Sequence, residues 1–357
     1  MTKLLSIRER DGALINNWYI ACLADELGPR RTLARTIYDT PLVLFRDESG
    51  RPACFPDRCL HRHAQLSKGI VCNGTLACPY HGWTYAGDGR LTEVPSNGLS
   101  HLGEASSYRI QTFPVVEQDG CLWVWMGEGA PDPASPPFRF PHHNDPAWCQ
   151  YFMITDFENE VLNLVENFMD VPHTVFVHSG WFRRRSRQPV PITVEMENGS
   201  VLVTYQQPGD RIGFSSYVLN PTKEAMLHTD RFIFPNITRV DYTFGPSSGF
   251  LIISQCTPIG TLATRVYTRI LYRILNQRWL ATALKWFMQF YTRQVIEQDV
   301  RIMANQGANL RQCPDYQFHH TEADIPHRAI EELRWRGATD PSSVFIASSI
   351  TKGTLWI

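Results

Sequence analysis

The chain has 357 residues, 43% of them hydrophobic and 19% charged, with a formal net charge of -1. Such a length suits two domains, because single cores seldom grow past about 250 to 300 residues, and so small a net charge gives no global field to draw nucleic acid. Charges at Arg8, Glu9, Arg10 and Asp11 interrupt any apolar signal core, and nine cysteines, an odd number, read as thiols of a reducing compartment, so a cytoplasmic protein is expected.

Residues 18–127 read as short strands broken by turns. Leu42-Val43-Leu44-Phe45 runs into Arg46-Asp47-Glu48-Ser49-Gly50, Trp83-Thr84-Tyr85 into Ala86-Gly87-Asp88-Gly89, and Asp119-Gly120 precedes Cys121-Leu122-Trp123-Val124-Trp125. Within this stretch Cys59-Leu60-His61 is answered by Cys78-Pro79-Tyr80-His81, with sixteen residues between the pairs. Two thiolates and two imidazoles from two loops suit a soft metal centre. Structural zinc sites pair ligands as Cys-x(2 to 4)-Cys and His-x(3 to 5)-His, a spacing missing here. A Rieske 2Fe-2S cluster, in which two histidines replace two cysteines on one iron, fits better: Cys59 and Cys78 on one iron, His61 and His81 on the other. Tyr80 and Trp83 read as aromatic cover for the ligands. The remaining cysteines, Cys22, Cys54, Cys72, Cys121, Cys149, Cys256 and Cys313, read as small buried hydrophobes.

Residues 127–137 contain four prolines, which remove amide donors and end regular structure. The domain boundary is therefore placed near residue 140, giving domains 1–140 and 141–357. Beyond it, 151–155 reads as a strand, 158–169 as a helix, 190–205, 231–244 and 250–257 as strands, and about 267–305 as helical. The expected class is α+β: a small all-β domain, then an antiparallel sheet flanked by helices.

The first helix and its exit read Glu166-Asn167-Phe168-Met169-Asp170-Val171-Pro172-His173-Thr174-Val175-Phe176-Val177-His178. On an ideal helix His173 and His178 would point about 140° apart. They can share a metal only if the helix is distorted between them, for which Pro172 gives a reason. A two-histidine, one-carboxylate iron site needs an acid as third ligand. Asp299 falls on the apolar side of its helix, at i+3 from Ile296 and i-4 from Met303, whereas Glu297 faces Arg301 at i+4 as a solvated pair would. An acid on an apolar face is costly unless its charge is compensated, which favours Asp299.

On these residues the chain resembles the oxygenase component of the Rieske non-haem iron oxygenases over nearly its whole length. The two-loop motif, Glu166 to Asp170 with His173 and His178, and the late Gln298-Asp299 fall in the family's order. It looks most like the chlorophyllide a oxygenase type of monooxygenase, on His178-Ser179-Gly180-Trp181-Phe182 and residues 268–305. It departs at His63, where many members have glycine. The resemblance implies a 2Fe-2S cluster on Cys59, His61, Cys78 and His81, and mononuclear Fe(II) on His173, His178 and Asp299. It also implies that Asp170 bridges His173 to the partner subunit's His81 in a head-to-tail homotrimer, with Asn167 near the iron. Electrons would come from NAD(P)H through a separate reductase, with or without a ferredoxin, since the chain carries no G-x-G-x-x-G fingerprint. The implied reaction is O2-dependent hydroxylation of a methyl or other aliphatic carbon on a bulky polycyclic hydrophobe, sterol-like or tetrapyrrole-like. Phe232, Phe234, Tyr242, Phe244, Phe250, Trp286, Phe287 and Phe290 are expected to wall its pocket. Alternatives are an aryl O-demethylase or ring oxygenase of the same family, and a Rieske electron-transfer protein without catalysis. The basic run Arg183-Arg184-Arg185-Ser186-Arg187 reads as a solvated loop or a docking site for an acidic redox partner. Residues 265–293 fit either a helix packed on the core or one lying on a membrane surface.

Overall fold

The computed structural model describes residues 6–98, 102–181, 188–206, 213, 215–313 and 317–357. They divide into two compact units, Ile15–Pro141, and His142–Ile357 together with Met1–Leu14. A cut at residue 140 alone would leave the N-terminal segment with the smaller unit. Instead Arg10 pairs with Glu160, Asp11 lies 3.5 Å from Arg334, and Gly12, at φ +49°, brings the chain onto Ala338 where a Cβ would meet its carbonyl oxygen at 2.7 Å. The run 183–187 lies outside the described residues.

The smaller unit is all β, with two three-stranded sheets and one four-stranded sheet. The first ligand loop follows strand Pro52–Pro56 and the second follows strand Thr75–Ala77. Its core of Val43, Phe45, Phe55, Leu66, Leu76 and Tyr85 includes both ligand cysteines. Burial of that apolar surface therefore also fixes the thiols.

The larger unit is an eight-stranded antiparallel sheet with helices packed on it. In chain order its elements are β1 (Cys149–Phe157), α1 (Val161–Met169), β2 (Pro189–Glu197), β3 (Ser200–Tyr205), β4 (Met226–Ile233) and β5 (Ile237–Phe244). Then follow β6 (Ser248–Gly260), β7 (Ala263–Arg273), α2 (Lys285–Gln312), α3 (Ile325–Thr339) and β8 (Ser349–Trp356). The strand order is β1-β7-β6-β5-β4-β3-β2-β8. β2 to β7 form a meander, and the two strands distant in sequence close its edges. Asn198 and Gly199, both at positive φ, make the two-residue turn between β2 and β3, which breaks the expected single strand at 190–205 into a hairpin.

Residues 267–273, expected to be helical, are strand. β7 pairs with β1 on one side and β6 on the other and is buried on both faces, so it shows no alternation to mark it as a strand. A membrane-surface helix over 265–293 is thereby ruled out for its first third. Among the described residues no helix is long and apolar enough to cross a membrane. Cys72 and Cys313 are exposed rather than buried, since both lie at the ends of elements.

Candidate functional site

The two ligand loops of the smaller unit have one construction. Cys59 N–H donates to Ala64 O (2.8 Å) and His63 N–H to Cys59 O (3.0 Å); likewise Cys78 N–H donates to Trp83 O (2.8 Å) and Gly82 N–H to Cys78 O (3.1 Å). The fifth position of each six-residue loop is left-handed, Gly82 at φ +71° and His63 at φ +57°. Glycine is the natural residue there, so His63 holds its loop at a steric cost. Cys59 and Cys78 are buried free thiols, the His61 and His81 rings lie 4.6 Å apart, and His61 Nδ1 is buried without a protein partner. A buried imidazole nitrogen with no protein partner, beside two buried thiols, fits a 2Fe-2S cluster of Rieske type.

Trp83 stacks on His61 at 4.7 Å and the Tyr80 ring lies 3.8 Å from that of His81, so both aromatics cover a ligand, Tyr80 with its outer side exposed. One contact escaped sequence reading: the Tyr85 hydroxyl lies 3.2 Å from Cys59 Sγ. Burial and the Cys59 thiol push the Tyr85 phenol well above its ordinary range, so it stays a donor.

In the larger unit α1 ends at Met169, with Asp170 extended as its C-cap, and Pro172 opens a short 3-10 turn, Pro172–Val175. The distortion expected between the histidines is thus a helix end followed by a tighter turn, rather than a kink. That geometry brings His173 Nε2 to 3.3 Å from His178 Nε2. Asp299, in the buried stripe of α2, places Oδ1 3.5 Å from His173 Nε2 and 3.2 Å from His178 Nε2. An octahedral face with bonds of about 2.1 Å has edges of about 3.0 Å, so these three donor atoms suit a facial metal site. Glu297 is exposed and pairs with Arg293 at 3.8 Å, not with Arg301 as expected, because its stripe of the helix faces water.

Burial opposes the charged form of Asp299, but hydrogen bonds from His173 and His178 outweigh it and hold the carboxyl at about 2. Burial likewise opposes a charged His173, yet Asp170 and Asp299 push that imidazole up to about 9. The constellation is electrostatically built to hold positive charge.

Supporting residues surround the triad. His178 Nδ1 lies 2.8 Å from Gln298 Oε1. The amide oxygen only accepts, so Nδ1 carries a proton there, which would leave Nε2 to give its lone pair to a bound metal in place of its hydrogen bond to Asp299. Asn167 donates to Asp299 Oδ1 at 3.1 Å, acting on the carboxylate ligand rather than standing directly at a metal. Asp170 Oδ2 accepts from the His173 backbone N–H (3.1 Å) and stands 3.6 Å from His173 Nδ1. The quoted motif contained Gln298, but nothing in it revealed that its side chain reaches His178.

The triad opens on a cavity of about 110 Å3. Its floor is one face of the sheet, set by register in three rows. One row runs Asp230, Val240, Ile252, Ile270; the next, Thr238, Ser254, Thr268, Met153; the third contains Tyr242 and Phe250. Of the aromatics expected to wall it, only Tyr242 and Phe250 do so among the described residues. Phe232 shares the cavity's face of the sheet, opposite Thr238, but is taken up in the core packed with Val161, Leu164 and Val165 of α1, and Trp286 and Phe290 are exposed on a stripe of α2 that faces elsewhere.

A Rieske [2Fe-2S] domain model matches residues 17–114, and a vanillate O-demethylase oxygenase C-terminal domain model matches residues 158–334. Dicamba O-demethylase, oxygenase component, of Stenotrophomonas maltophilia is 41% identical over 46% of this chain and 47% of its own. Chlorophyllide a oxygenase of Chlamydomonas reinhardtii is 34% identical over 57% of this chain and 30% of its own. The matched stretches thus span half or less of these curated relatives. Among solved structures, dicamba monooxygenase bound to dicamba superposes with a TM-score of 0.75 at 24% identity, over 91% of this chain and 99% of that one. Pseudomonas putida CBB5 NdmA with caffeine gives 0.79 at 20% identity, over 96% and 98%. At that identity the likeness speaks for the fold. Two domain models in sequence, with a ligand set in each, make this chain a Rieske-type oxygenase-component protein, similar in part to the chlorophyllide a oxygenases and to dicamba O-demethylase.

Proposed function

We propose that this protein demethylates a compact aryl methyl ether, using O2 and two electrons from NAD(P)H that arrive through a separate reductase, with or without a ferredoxin. The cavity size carries this reading. An apolar cavity of about 150 Å3 holds one benzene ring, and the cavity of about 110 Å3 beside His173, His178 and Asp299 is of that order. A sterol or tetrapyrrole is several times larger, so the smaller substrate is favoured over the polycyclic one. The names of two relatives, dicamba O-demethylase and vanillate O-demethylase oxygenase subunit, support the same choice.

One oxygen atom would enter a methyl C–H bond and the other leave as water, consuming two electrons and two protons; the resulting hemiacetal would collapse to the free hydroxyl and formaldehyde. Iron on His173, His178 and Asp299 would supply the oxygen chemistry and a cluster on Cys59, His61, Cys78 and His81 the electrons. Gln298 holds the His178 tautomer, and Asn167 orients the Asp299 carboxylate. The aliphatic row Val240, Ile252 and Ile270 keeps water from the substrate's ring. Asp170 would link His173 to the partner subunit's His81 in a head-to-tail trimer, for which the exposure of His81 leaves access.

With a competent reductase, aryl methyl ethers should give formaldehyde in step with O2 uptake. Oxidised sterol or tetrapyrrole methyl groups without ether cleavage would restore the larger substrate. A reducible cluster with no O2 uptake on any compound would leave only electron transfer.

A further inference from the structure

Asp230 is 2% exposed, yet it lines the substrate cavity at the end of an otherwise aliphatic row, between Val203 and Val240 on the flanking strands. An isolated carboxylate in such a place is costly. Its Oδ1 lies 2.8 Å from Nε2 of His228, and that imidazole is clamped between the rings of Tyr205 and Tyr242, each 4.4 Å away and nearly parallel. A buried acid held by an imidazole that is itself fixed between two rings is a built feature of the cavity wall, outside the metal triad. No lysine or arginine is among the described residues lining the cavity. The imidazoles of His173 and His178 are turned to Asp299.

We propose that Asp230 selects and orients the substrate: it accepts a hydrogen bond from a hydroxyl or N–H on an uncharged ring and excludes ring carboxylates. This rests on the demethylase reading above. A substrate carboxylate beside Asp230 would bring a second negative charge to that end of the cavity, where no lysine or arginine among the described lining residues offsets it, and like charges so juxtaposed repel. A substrate donor meets a fixed acceptor. The hydroxyl row Thr238, Ser254 and Thr268 lies alongside; Ser254 and Thr268 are bonded to each other at 2.9 Å and so contribute polarity without charge.

The test is equilibrium calorimetry on the metal-loaded protein, anaerobically and without reductant, with meta-methoxyphenol, meta-methoxybenzoate and meta-dimethoxybenzene. The phenol should bind at least about tenfold more tightly than either of the others, as loss of one hydrogen bond to a buried charged acceptor requires. Asp230→Asn, which keeps an acceptor oxygen and removes the charge, should tighten benzoate binding by at least about tenfold and weaken phenol binding, since a neutral acceptor holds a hydroxyl less strongly than a charged one. Benzoate binding equal to phenol in the unaltered protein overturns the proposal, as does an absence of phenol binding. Formaldehyde from the benzoate but not from the phenol would overturn the role of Asp230 and leave demethylation standing. Preferential phenol binding with no formaldehyde would do the reverse.

Discussion

Asp299 and Glu297 lie two positions apart on one helix in opposite surroundings. The Asp299 side chain is 6% exposed and faces two imidazoles, whereas that of Glu297 is 47% exposed beside Arg293. Asp299→Ala should therefore empty the mononuclear site and stop turnover while the cluster spectrum persists. Glu297→Ala should change stability by less than about 0.5 kcal/mol, as exposed pairs do, with iron content unaltered. Metal analysis of both variants checks this, and the opposite pattern would move the ligand to Glu297. In the other unit, the Tyr85 hydroxyl lies 3.2 Å from the Cys59 sulfur, and with Cys59 a thiolate of the cluster it would donate there, which favours the more negative, reduced cluster. Removing a charge-assisted hydrogen bond of about 1.5 kcal/mol should lower the midpoint potential of Tyr85→Phe by about 60 mV. An unchanged potential in a spectroelectrochemical titration would show that the hydroxyl serves the Leu60 N–H alone.

The distance from α2 to α1 decides whether Asp299 meets the histidines, and one glycine controls it. A Cβ on Gly307 would stand 2.0 Å from the carbonyl oxygen of Glu158, just before α1, where Asn159 donates to Met303 O and Gln306 Oε1. Backbone cannot yield as a side-chain tip can. Gly307→Ala should cost about 1 to 3 kcal/mol and deplete the mononuclear iron more than the cluster; full iron content with a lowered melting temperature would confine the effect to packing. Such a glycine was not legible in the sequence, because a close crossing depends on two segments about 150 residues apart. The spacing of Asp299 against Ile296 and Met303 was legible, since a helix face is a local property. β7 was missed for the complementary reason: a strand covered on both faces loses its period of two. Asn198-Gly199 was in plain view as a turn signal and still passed as strand, because the alternation on each side continues through it.

At the scale of the whole molecule, the two ligand sets lie in different compact units, and each is built from contacts internal to its own unit. Loss of one centre should therefore spare the other: Cys78→Ser should abolish the cluster and keep mononuclear iron, and Asp299→Ala should do the converse. This independence makes the proposed trimer testable. In a head-to-tail ring each iron is reduced by the partner subunit's cluster, so two variants, each inactive alone, can complement when they assemble together. With equal and random assortment of co-expressed subunits, half the iron sites are intact and half of those face an intact cluster, so about a quarter of wild-type turnover is expected. If electrons instead pass within one subunit, no mixed ring contains a working pair and turnover stays at zero. Asp170→Asn placed in the iron-competent, cluster-lacking subunit should then slow the complemented activity strongly. An amide has one acceptor oxygen where the carboxylate can serve two imidazoles, His173 of its own chain and the partner subunit's His81. The same substitution in the iron-lacking subunit should have no effect, because that subunit's Asp170 faces no working iron. Equal slowing from either side would mean that Asp170 acts only as the end of α1.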